Sequence, residues 1–135
     1  MMWILAEEHS ARALQLRDGW FRDDIPLIAP ALFKAEVTSV LREQVHRRGL
    51  LLEEAEQALD VALSWPIQIV EPTDELQRKA FDLATRFNRP KAYDAQYLAV
   101  ARLASCELWT GDERLVNAVA GKLPWLKFVG HQQAV

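Results

Sequence analysis

The sequence predicts an α/β fold, a small parallel sheet flanked by helices. Short apolar runs rich in β-branched residues alternate four times with helical patterns, the signature of parallel strands joined by crossover helices. The strands are short and the helices dominate, so the sheet is small and wrapped on both faces. The chain has 135 residues, 50% hydrophobic and 26% charged, which suits one soluble domain with a sizeable core. Residues 1–130 are predicted as that single domain and 131–135 as a polar C-terminal tail, with no internal repeat or linker.

Residues 10–20 form a short amphipathic helix with Ala13, Leu14 and Leu16 on or near its buried face. Residues 25–29 make a brief strand, where Pro26 suits the first positions better than the centre. Pro30 is placed as the first residue of a helix. That helix runs to about Arg48, buries Phe33, Val37, Val40 and Leu41, and is stopped by Gly49. A further helix spans 52–64, ended by Trp65 and Pro66, and residues 67–70 form the second strand. Thr73 or Asp74 caps a helix reaching about Phe87. The final strand covers 127–129.

Residues 92–115 organise the rest. Asp94 opens a helix, and Leu98, Ala101 and Ser105 follow it on one stripe. Gln96 and Arg102 are among its few polar residues, so it is buried on most sides, and a carboxylate at the head of such a stripe needs compensation. Residues 106–110 read as a strand, with Cys106 packed in it. Gly111 breaks that strand and Asp112 caps a helix over 113–120. Ligands of parallel sheets bind beyond the carboxyl ends of the strands, so Asp94 and Asp112 can converge on one edge. Glu36 borders the apolar stripe of its helix, and either snorkels to solvent or points into a shared polar site.

A net charge of −3 and a pI near 5.6 argue against a non-specific DNA coat, though a local basic patch can still bind RNA phosphates. A single cysteine, Cys106, allows no internal disulfide and fits a reducing cytoplasm. No apolar run approaches the roughly 18 residues that span a membrane. His9 and His46 lack partners at metal-ligand spacing and His131 sits in the tail, which argues against zinc.

The runs Ala31-Leu-Phe-Lys-Ala-Glu-Val37, Ala92-Tyr-Asp-Ala-Gln-Tyr-Leu-Ala-Val-Ala101 and Trp109-Thr-Gly-Asp-Glu-Arg-Leu115 resemble the PIN-domain family. The closest likeness is to the toxin ribonucleases of VapBC-type toxin–antitoxin pairs, and it extends from Trp3 to Val129. The resemblance implies a ribonuclease dependent on Mg²⁺ or Mn²⁺, an RNA substrate, a cognate antitoxin partner and a homodimer. On this sequence its catalytic and metal-holding acids map to Glu36, Asp94 and Asp112, with Thr110 as the hydroxyl that supports the site. Hard divalent cations prefer such oxygen donors.

The chain departs from the family at its start. Members open with a central strand ending in an aspartate, then a turn into a segment like Trp3-Ile-Leu-Ala-Glu-Glu-His-Ser10, whereas here Met1-Met2 stands in place of the turn. The N-terminal strand is therefore expected to be missing, because the true start lies upstream or because the copy is degenerate. The second case makes it an inactive binding module that retains antitoxin or self-association. A sheet without that strand has exposed edges, and implies poor solubility, an altered sheet or a partner strand in the gap. Around the acids, Arg86, Arg89 and Lys91 form a basic cluster that either contacts phosphates or is a solvated loop. Arg114 either bridges to the acids or a phosphate, or is an exposed first-turn residue.

Overall fold

The computed structural model describes residues 10–90, 92–119 and 121–130, and in them four short strands are separated by one or two helices each, six helices in all. In chain order these are α1 (Ser10–Arg22), β1 (Leu27–Pro30), α2 (Leu32–His46), α3 (Leu52–Ser64) and β2 (Ile67–Val70). Then come α4 (Asp74–Arg86), α5 (Tyr93–Ala104), β3 (Leu108–Thr110), α6 (Glu113–Val119) and β4 (Leu126–Phe128). The predicted α/β alternation holds throughout this span. The expectations for residues 1–9 and 131–135 lie outside the described residues.

Local chemistry sets the boundaries. Thr73 caps α4, its hydroxyl accepting from the Leu76 amide at 3.2 Å. Pro30 is the last residue of β1 and not the first of α2, paired across to Val70 and buried. A proline at a strand end gives up little of the ladder, and its missing N–H costs more further inside. The left-handed residue ending α2 is Arg48, at φ 59°, one position before Gly49. The strand predicted from Cys106 starts only at Leu108. Ser105 ends α5 at φ 53° and the Cys106 amide then donates back to the Ala101 carbonyl at 3.0 Å, so the helix end uses it. Cys106 is exposed in the connecting loop and does not pack in the strand.

The sheet exists in two halves. β1 and β2 pair in parallel, with Leu27 opposite Ile67 and Pro30 opposite Val70; β3 and β4 pair in parallel, with Leu108 opposite Leu126. Among the described residues no strand joins the pairs. Both pairs rest on one helical layer, since Ile28, Val70, Leu108 and Leu126 all pack against the core cluster of α4, α5 and α6. Ala80, Ala95, Leu98 and Ala99 in that cluster have no exposed surface, and the small alanines let α4 and α5 approach closely. A second cluster joins α2 to α3 through Val37, Leu41, Ala55 and Ala62.

Candidate functional site

Between the two strand pairs lies a cavity of about 980 Å³. β1 contributes Leu27, Ile28 and Ala29 to one wall, and β3 contributes Leu108, Trp109 and Thr110 to the other. Glu36, Asp94, Asp112, Thr110 and Arg89 also line it. Topology accounts for that grouping. α2 starts two residues after β1 ends, and Asp112 likewise follows β3 by two residues. α5 leads into β3 through a short loop, so its first turn, with Asp94, lies at the carboxyl end of the strands.

Each acid is engaged. The Tyr97 hydroxyl donates to Glu36 Oε1 at 2.6 Å, joining α5 to α2. Burial, then the hydrogen bond and negative charge of Glu36, hold the Tyr97 phenol well above its ordinary range, so it stays a donor. Asp94 Oδ2 accepts from Arg89 Nε at 2.9 Å in a half-buried ion pair, and Oδ1 accepts from the Ala95 amide at 3.0 Å. This is the compensation the buried stripe requires. Asp112 Oδ1 caps α6 by accepting from the Leu115 amide at 3.2 Å, and the Asp112 amide donates to Thr110 Oγ1 at 3.0 Å. Thr110 thus holds the turn that carries Asp112. Near the site, burial and the charge of Glu107 push the Cys106 thiol up, which disfavours its reactive thiolate.

All three acids border one cavity, yet among the described residues no three carboxylate, imidazole or thiol groups are close enough to hold a metal together. The Arg89 guanidinium is the cation that Asp94 meets in the structure. Arg86 stacks over the Phe87 ring at 4.9 Å and is not part of the cavity lining; neither is the exposed Arg114. Lys91 lies outside the described residues. Tyr97 escaped the sequence reading because its partner is 61 positions away. The only local signal was a tyrosine one turn after Asp94.

The PIN domain family model matches residues 1–121, most of the chain. The chain belongs to the PIN-domain family. PIN domains are generally nucleases that act on nucleic acid and use divalent metals. No curated protein matched this PIN domain. Among its described residues no helix is long and apolar enough to cross a membrane.

Proposed function

We propose that this PIN domain is a metal-dependent endoribonuclease, the toxin of a type II toxin–antitoxin pair, with Glu36, Asp94 and Asp112 as its acids. The observation that carries the reading is that all three border one cavity at the carboxyl edge of the strands. The donor set suits a hard cation, since every candidate ligand is a carboxylate oxygen. Mg²⁺ commonly takes only one or two carboxylates and keeps its waters, so a wide acid cluster does not conflict with it. When bound, such a cation supplies an activated water and neutralises charge at the phosphate.

The chain's own residues do the rest. Asp94 is the anchor, held by the start of α5; Tyr97 orients Glu36; Thr110 fixes the turn of Asp112. Asp94 would help to hold the cation, and Arg89, its present partner, would then be free to meet a substrate phosphate. The antitoxin and the homodimer follow from the resemblance to the VapBC toxins, and a cytoplasmic setting from the single cysteine. Exposed Leu51 and Leu52 at the start of α3 offer apolar surface for a protein partner.

A second reading, an inactive binding module of the same fold, is favoured by the separation of the acids and by the Arg89 ion pair. Incubating the chain with a structured RNA and Mg²⁺ separates the two. The nuclease reading expects slow cleavage that stops with EDTA and with Asp94→Asn. No cleavage above the EDTA control, or equal cleavage by Asp94→Asn, leaves the binding module standing.

A further inference from the structure

Two aromatic rings stand mostly in solvent among the described residues, Phe81 on α4 at 70% exposure and Tyr93 on α5 at 66%. Of the two, only Tyr93 lines the cavity. Scattered exposed apolar residues need no explanation, so it is the place of Tyr93 that matters. It is the first residue of α5 and immediately precedes Asp94, about 3.8 Å away along the backbone. Arg89, Pro90, Tyr93 and Asp94 all border the cavity, so the rim here is one short stretch of chain carrying a cation, a flat ring and an acid. Tyr97 follows Tyr93 by one helical turn on the same side of α5, and it lines the cavity too. The two tyrosines are used differently. Tyr97 is half-buried with its hydroxyl bound to Glu36, while no hydrogen bond or ring contact ties Tyr93 to another described residue.

We propose that Tyr93 is a stacking platform for one unpaired base of the RNA, whose adjoining phosphate meets Arg89, and that it selects single-stranded over paired substrate. This rests on the reading of the cavity as a nuclease site. The reacting phosphate has to reach the acids, and the ring is next in sequence to Asp94, so a base attached beside that phosphate arrives at the rim where Tyr93 stands. Bases in a duplex are paired and stacked on their neighbours and offer no free face; a splayed base of a loop or single strand does. Every base has such a face, so the ring tells unpaired from paired and not one base from another. Arg89 supplies the charge that the ring lacks. Its guanidinium meets Asp94 at 2.9 Å, beside the ring, and its forked donors suit a phosphate. With a net charge of −3 the chain has little general attraction for nucleic acid, so local contacts of this kind must carry the binding. A protein partner would also cover an exposed tyrosine, but the continuity of this ring with the acids favours the substrate.

Fluorescence anisotropy on the full chain tests this, with a labelled 12-nucleotide single-stranded RNA and its duplex as probes, in Ca²⁺ in place of Mg²⁺. Tyr93→Ala and Tyr93→Leu should weaken single-strand binding by at least fivefold and duplex binding by less than twofold, while Tyr93→Phe, which keeps the ring, should bind as the parent does. The slope of log Kd against log salt should be unchanged in Tyr93→Ala and smaller by about one in Arg89→Ala. If Tyr93→Ala fails to fold, Tyr93→Leu against Tyr93→Phe still decides the matter. Equal loss on both probes, equal affinity in all variants, or no binding by the unmodified chain overturns the proposal. Unchanged RNA affinity with a shift of oligomeric state in light scattering assigns the ring to a protein contact and also overturns it. Cleavage by the unmodified chain in Mg²⁺ with no selective loss in Tyr93→Ala removes the subsite and leaves the nuclease reading. Selective loss in a chain that never cleaves keeps the subsite and removes the nuclease reading.

Discussion

Replacing Tyr97 with Phe removes one hydrogen bond and leaves the ring packing in place. The bond runs from a phenol to the Glu36 carboxylate at 2.6 Å, a short, charge-assisted contact between α5 and α2. Bonds to charged groups contribute about 1.5–3 kcal/mol. Both side chains are only half-buried and water can resolvate Glu36, so the lower end, about 1.5 kcal/mol, applies. In a domain of this size that is a fall in melting temperature of about 5 °C. The pH dependence is more diagnostic. The folded phenol titrates well above its ordinary value, so its contribution is complete below about pH 10, the unfolded tyrosine pKa, and is lost as pH rises beyond it. The limiting slope is about 1.4 kcal/mol per pH unit, and partial exposure reduces it to roughly half. Urea unfolding of both proteins at pH 8 and pH 11 reads the difference directly. The wild-type advantage should shrink by about half across that interval. An advantage that is constant with pH, or absent at pH 8, would refute the assignment of Tyr97 as the donor that holds Glu36.

Two further predictions concern the edge of the site and the end of α2. Arg89→Ala frees Asp94 from its internal cation, so Mn²⁺ should bind about two- to fivefold more tightly, as the loss of an ion pair worth roughly 0.5–1 kcal/mol implies. Titration calorimetry showing unchanged or weaker binding would remove Arg89 as the competitor. Arg48→Gly relieves a left-handed backbone at φ 59° and should stabilise the domain by about 0.5–1 kcal/mol, read as a higher urea midpoint with unchanged slope.

Helices and strands were legible in the sequence where the pattern was local. α3 and β2 fall where periodicity and the flanking Trp65-Pro66 place them, and a cap at Thr73 or Asp74 was readable because a cap's partner amide lies within a few residues; the bond from the Leu76 amide decides for Thr73. Strand ends were less legible. Whether Pro30 closes β1 or opens α2 depends on its pairing with Val70, and the late start of β3 depends on the Cys106 amide closing α5. The residue types of the candidate site, three carboxylates and a threonine, were visible as motifs. Their engagements were not: the Tyr97 bond to Glu36 joins distant parts of the chain, and nothing local signals it. Sequence alone determined the order and kind of the elements, because hydrogen bonds within a turn and a helical or strand period act over a few residues. Only the tertiary structure decided that the strands of the described residues stand as two pairs over one helical layer, and that the three acids share the cavity between them. Those facts depend on which edges find neighbours, and edge pairing is a contact between segments that the linear pattern does not encode.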